Sequence, residues 1–148
     1  MRTYNIVRAA GTPAVTYGVE VTGMADTHLD QARRAIARAS APEGGGKDLN
    51  LVLYILDGPS GTCDPAFDAH VLPLVRYASA WWENWQPADV ITRAFRQAYS
   101  RMSNRKGAWG SVNGPLAALI VTLARMKWAF VDHVNISDDL GRVYKLHH

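Results

Sequence analysis

A mainly helical α+β fold is what this sequence predicts, and three observations lead to it. Three segments open on proline and then turn apolar at three-and-four spacing: Pro65 onward, Pro87 onward and Pro115 onward. Proline belongs in a helix's first turn, where its missing N–H has no partner to lose. The segment 115–127 is apolar on nearly every side, which marks a buried helix with a bundle around it. Finally, 130–136 alternates before Ser137-Asp138-Asp139-Leu140-Gly141, and extended character resumes over 142–146, the pattern of a C-terminal β-hairpin. The expected architecture is a helical bundle around helix 115–127 with one or two small β-elements, that hairpin included.

The totals bound this reading. A chain of 148 residues is about one domain long, so 1–148 is expected to form a single domain. Its 48% hydrophobic and 20% charged residues are globular in balance, not disordered. The single cysteine, Cys63, forms no internal disulfide and fits a reducing compartment. No stretch reaches the roughly 20 apolar residues that span a bilayer. The N-terminus Met1-Arg2-Thr3-Tyr4-Asn5 lacks the apolar region of a signal peptide, so an intracellular location, nuclear or cytoplasmic, is expected, without a membrane partner. The net charge of +3 is compatible with an acidic partner such as nucleic acid.

Each element has a local reason. Over 14–21, β-branched and small residues between Pro13, Gly18 and Gly23 fit either a strand or a short helix. Thr27 is expected to cap a helix to about Ala39, with Asp30 at the capping-box position and Leu29, Ala32, Ile36 and Ala39 as its inner stripe. Arg33, Arg34 and Arg38 then form a solvated face. Three consecutive glycines in 42–47 make a flexible loop. The run 49–56 suits a buried strand, although at that length a helical segment has the same pattern. Asp64 is an N-cap with Pro65 at the first helical position. Phe67, Val71, Leu74, Val75, Ala78, Trp81, Trp82 and Trp85 follow as a stripe that Pro73 should kink or split. A helix over 87–102 turns Ile91, Ala94, Phe95, Ala98 and Met102 inward and Arg93, Arg96 and Ser100 outward.

Catalytic patterns are incomplete. Gly58-Pro59-Ser60-Gly61-Thr62 opens like a phosphate-binding loop, but Cys63-Asp64-Pro65 stands where Gly-Lys-Ser/Thr must follow. Asp57, Asp138 and Asp139 loosely imitate a two-metal carboxylate set, yet Asp-Asp is ordinary turn composition. Asp64, Asp68 and His70 do not make a metal site while Asp64 serves as a cap. Cys63 with His70 lacks the third group that would define a nucleophile, and Ser60 lacks an elbow. No catalytic residue, metal site or cofactor is therefore expected.

A binding surface is the remaining candidate. Arg93, Arg96, Arg101, Arg105 and Lys106 lie with Tyr99 and Trp109, so cations and stacking rings are close in sequence. Arginine binds phosphate and aromatic rings stack on unpaired bases, which suits RNA or single-stranded DNA. The plainer alternative has both rings in the core and the arginines merely solvating a helix. Trp81, Trp82 and Trp85, if partly exposed, would instead form a protein-partner surface. No function is placed on His147-His148.

Pro13-Ala14-Val15-Thr16-Tyr17-Gly18-Val19-Glu20 resembles the Pro-Ala-x-x-Tyr-Gly-x-Glu stretch after the polymerase core of non-LTR retrotransposon reverse-transcriptase polyproteins. The arginine-bearing segment 27–39, Asp64-Pro65-Ala66-Phe67-Asp68, and Gly114-Pro115-Leu116-Ala117-Ala118 through Leu123-Ala124-Arg125-Met126-Lys127-Trp128 are similar to later parts of that connection region. The resemblance spans about 13–146. It implies a segment between polymerase and ribonuclease H that helps hold template and primer. It transfers no catalytic residue, because that family's polymerase aspartates belong to an upstream portion.

Overall fold

The computed structural model describes residues 5–41, 46, 48–57, 63–103 and 109–147. In chain order they form a π-helical turn (Val7–Gly11), α1 (Thr12–Thr16), α2 (Val19–Thr22), α3 (Asp26–Ser40), α4 (Leu49–Asp57), α5 (Pro65–Trp82), α6 (Ala88–Met102), a 3-10 turn (Trp109–Ser111), α7 (Pro115–Arg125) and strands β1 (Ala129–Phe130), β2 (Asn135–Ser137) and β3 (Val143–Lys145). The fold is α+β and mainly helical, as the sequence predicts. The described residues group into two compact units, one within Met1–Tyr17 and Met24–Ala69, the other within Gly18–Gly23 and His70–His148.

The first unit has a small apolar core of Val7, Ile36, Ala37 and Leu53. Polar bonds do much of the remaining work. The Thr12 hydroxyl donates to the Cys63 carbonyl at 2.8 Å, and the Thr16 hydroxyl donates to Asp68 at 3.0 Å. Arg33 reaches Asp64 through Nε at 2.9 and 3.1 Å and through a terminal nitrogen at 2.9 Å, with Asn50 at 2.9 Å as well. Arg33 therefore leaves the solvated face expected of it, whereas Arg34 and Arg38 stay exposed. The helix expected from Thr27 begins at Asp26, with Ala25 at the cap position and no side-chain cap bond. Of its stripe, Leu29, Ala32 and Ile36 are buried, but Ala37 replaces Ala39.

The strand expected over 49–56 is a helix. Leu53 and Asp57 are its buried residues, four apart, and the Asp48 carboxylate accepts the Leu51 N–H at 2.9 Å as an N-cap. Asp64 caps α5 as expected, taking the Ala66 N–H at 2.9 Å. Pro73 does not split α5, which continues through it with Pro73 fully buried. The expected loop 42–47, apart from Gly46, and the stretch 58–62 lie outside the described residues.

The second unit is organised around α7. Its Ala117, Ala118, Leu119, Thr122 and Leu123 are buried, and α6, α2 and β1 pack on it. The core comprises Tyr77, Ile91, Phe95, Leu119, Leu123, Phe130, Ile136 and Leu146. Phe130 meets Tyr77 and Phe95 edge-on at centroid distances of 5.7 and 4.9 Å. The Tyr77 hydroxyl donates to the His133 carbonyl at 2.6 Å, and burial pushes the phenol up to about 12. Gly23 is demanded by position: its φ is +67°, and a Cβ there would collide with the Trp109 ring and press Ala118 at 3.3 Å.

The C-terminal sheet has one strand more than a hairpin. β1, β2 and β3 form an antiparallel meander in which Phe130 faces Ile136 and Ile136 faces Tyr144. The stretch 130–136, expected as one strand, turns at Asp132. Its carboxylate accepts the Val134 and Asn135 N–H groups at 2.8 and 2.9 Å and the Asn135 amide at 2.7 Å, and the Asn135 bond leads in holding it below the usual carboxylate range. The Asp-rich turn before β3 is where the sequence predicts it.

Candidate nucleic-acid interface

α6 is sharply two-sided. Ile91, Phe95, Ala98 and Met102 recur at three-and-four spacing and are buried. Arg93, Arg96, Ser100 and Arg101 are exposed, and Ala94, expected inside, is exposed too. Arg93 is paired to Asp89 at 2.9 Å, a solvent-facing i,i+4 pair worth about 0.3–0.5 kcal/mol and easily exchanged for another anion. Arg101 donates to the Asn113 side chain, a neutral partner that leaves the guanidinium charge uncancelled. Arg96 has no ion pair among the described residues. Arg105 and Lys106 lie outside the described residues.

The aromatic residues divide. Tyr99 is 37% exposed and stacks on Phe95 at 5.4 Å, so one face of its ring is supported. Trp109 instead lies under the Arg125 guanidinium at 4.8 Å. Below Tyr99 is a cavity of about 390 Å³ lined by Tyr99, Met102, Ser103, Ile120, Val121, Leu123, Ala124, Trp128, Ala129 and Phe130. That volume falls at the lower end of the range for small-ligand sites, about 300–1,000 Å³. Arg96 and Tyr99 lie on α6 at i and i+3, with Ser103 at its C-cap, so a cation stands one turn from the cavity wall.

Trp128, Arg125 and Lys127 were not among the expected binding residues. The signal was present as Arg125-Met126-Lys127-Trp128, two cations and an indole where an apolar helix ends. The three tryptophans of the alternative surface are unequal. Trp81 is half-buried, stacked on His147 at 5.7 Å and edge-on to Tyr77 at 6.4 Å. Trp82 is 53% exposed and Trp85 40%, the latter beneath Arg76 at 4.4 Å and donating to Glu83 at 2.7 Å.

The carboxylates considered for chemistry are occupied in folding. Asp57 accepts the Cys63 N–H and, at 3.1 Å, the Asp64 N–H. Asp138 accepts the Leu140 and Arg142 N–H groups at 2.9 and 2.8 Å and the Tyr144 hydroxyl at 3.0 Å. Because the run before Gly58 is helical, the strand that must precede a phosphate-binding loop is missing. Among the described residues, no three His, Cys, Asp or Glu side chains gather to hold a metal ion, and no helix is long and apolar enough to cross a membrane. Set against protein-family models, curated proteins and solved structures, the chain matches none of them.

Proposed function

We propose that this chain is a non-catalytic nucleic-acid-associated module that binds RNA or single-stranded DNA across the outer face of α6. One observation carries the reading. Arg93, Arg96 and Arg101 stand in solvent opposite a sharply defined buried stripe, with Asp89 the one carboxylate on that helix. Such a face supplies phosphate contacts without sequence selection. Arg105 and Lys106 extend the same basic run along the sequence. The resemblance to the post-polymerase region of non-LTR retrotransposon polyproteins supports the reading and adds an intracellular setting in a mobile element, where the module would grip template and primer.

A second reading, a protein partner seated on the α5 end, draws on the exposure of Trp82 and Trp85. Charge favours the first. The deciding experiment replaces Arg93, Arg96 and Arg101 together by Ala and titrates a single-stranded RNA oligomer at several salt concentrations. Affinity should fall at least about tenfold, and the logarithmic salt slope should flatten by about 0.7 per lost phosphate contact. Unchanged affinity and slope would overturn the proposal.

A further inference from the structure

We infer that the cavity between Tyr99 and Trp128 receives one unpaired base of the bound strand. The inference rests on the binding reading given above and assigns it a specific subsite.

Three independent features converge on this occupant. The first is shape and surface. The walls are aliphatic and aromatic, from Met102, Ile120, Val121, Leu123 and Phe130, with Ser103 and Tyr99 as the hydroxyl-bearing lining residues. A flat heteroaromatic ring needs such walls together with a few hydrogen-bonding groups.

The second is rigidity. Tyr99 is stacked on Phe95 with 25° between the planes, and Phe95 is in turn wedged against Phe130 at 4.9 Å. Trp128, another lining residue, lies nearly parallel to Tyr144, 8° between planes and 5.8 Å between centroids. Tyr144 thus covers one face of the indole and holds the ring in place. Rings already fixed lose little freedom when a base joins them.

The third is charge. The lining residues fall within 99–103 and 120–130, segments that contain Arg101, Arg125 and Lys127 and no Asp or Glu; Arg96 precedes Tyr99 by one turn of α6, and the Arg125 guanidinium is engaged over Trp109. An apolar pocket whose lining segments carry cations and no carboxylate is poorly matched to a neutral lipid or an acidic-residue-free peptide. It is well matched to a ring that carries a phosphate. A base swung out of a strand meets both requirements, its ring between the aromatic side chains and its phosphates toward the α6 arginines.

Adenosine 5′-monophosphate shares the same chemistry, so the test separates a free nucleotide from a base within a strand. The full chain is titrated with a single-stranded oligonucleotide bearing one 2-aminopurine, with its duplex, and with adenosine 5′-monophosphate. Ala124 and Ala129 line the cavity yet are exposed, so Ala124→Phe and Ala129→Phe fill it from the rim without disturbing the core. The wild-type chain should prefer the single strand over the duplex by about tenfold and quench or shift the 2-aminopurine emission. Either filled variant should bind single strand and duplex alike, with the salt slope unchanged. If the free nucleotide also binds, its binding should vanish in the same variants.

Filled variants that keep the single-strand preference and the 2-aminopurine change would overturn the subsite. That result leaves the α6 face standing if the triple arginine variant still loses affinity. Conversely, loss in the filled variants with no loss in the arginine variant would sustain the pocket and remove the face. No binding of any probe by the wild-type chain would overturn both.

Discussion

In the first compact unit Arg33 is largely buried, fixed by three hydrogen bonds to Asp64 and one to Asn50. In the second, Arg96 stands in solvent on α6 with no ion pair among the described residues. The same side chain is structural in one place and available in the other, and the two cores differ as well. The first unit has a small core, Val7, Ile36, Ala37 and Leu53, supplemented by bonds from Thr12, Thr16, Arg33 and Asp57. The second closes a larger aromatic and aliphatic core around Leu119 and Leu123, and Arg96 lies outside it.

The comparison breaks most readily at Leu119, which is wholly buried. Leu119→Ala should cost about 3–4 kcal/mol, transfer and cavity terms together. All five tryptophans belong to the second unit, so urea unfolding followed by indole fluorescence reads that unit directly. A loss below about 1 kcal/mol would mean that apolar packing is not what holds it.

A smaller effect sharpens the other side. Arg33→Met keeps the aliphatic bulk but strands the Asp64 carboxylate in a site where its side chain is 18% exposed. The expected loss is about 2 kcal/mol, seen as faster amide exchange along α3. Its neighbour Arg34 forms an exposed pair with Asp30, and Arg34→Met should cost under about 0.5 kcal/mol. Equal losses at the two positions would erase the distinction between structural and surface arginine in the first unit.

How much of this was legible follows the same physics. The second unit's helices were readable because proline starts and long apolar stripes agree, as at Pro115 and in the Ile91, Phe95, Ala98, Met102 series. The first unit was harder because its organisation depends on polar bonds between distant residues. Arg33 and Asp64, 31 positions apart, look like a surface residue and a cap when each is read alone. The run 49–56 has the composition of a strand, and only Asp48 as a cap, with burial at Leu53 and Asp57, betrays the helix. At the candidate site, the exposure of Arg93, Arg96 and Ser100 was readable from helical spacing. The Tyr99–Trp128 cavity was not, because its walls come from α6, α7 and β1 and exist only once these pack.

Another small effect lies at Lys127, where fold and site pull in opposite directions. α7 ends in a Schellman turn: the Trp128 N–H reaches the Leu123 carbonyl at 2.9 Å and the Lys127 N–H reaches Ala124 at 3.1 Å. That turn holds Lys127 at φ +61°, a left-handed conformation that glycine adopts without penalty. Asn84 ends α5 in the same way at φ +52°, but asparagine tolerates that region better than lysine. Lys127→Gly should therefore stabilise the second unit by about 0.5–1 kcal/mol. It also removes one rim cation, so single-strand affinity should weaken about twofold and the salt slope should fall by up to about 0.7. Fluorescence-monitored unfolding and an oligonucleotide titration on the same variant give both numbers. A gain in stability with unchanged binding would exclude Lys127 from the cationic rim; a loss of stability would mean that the lysine side chain itself secures the turn.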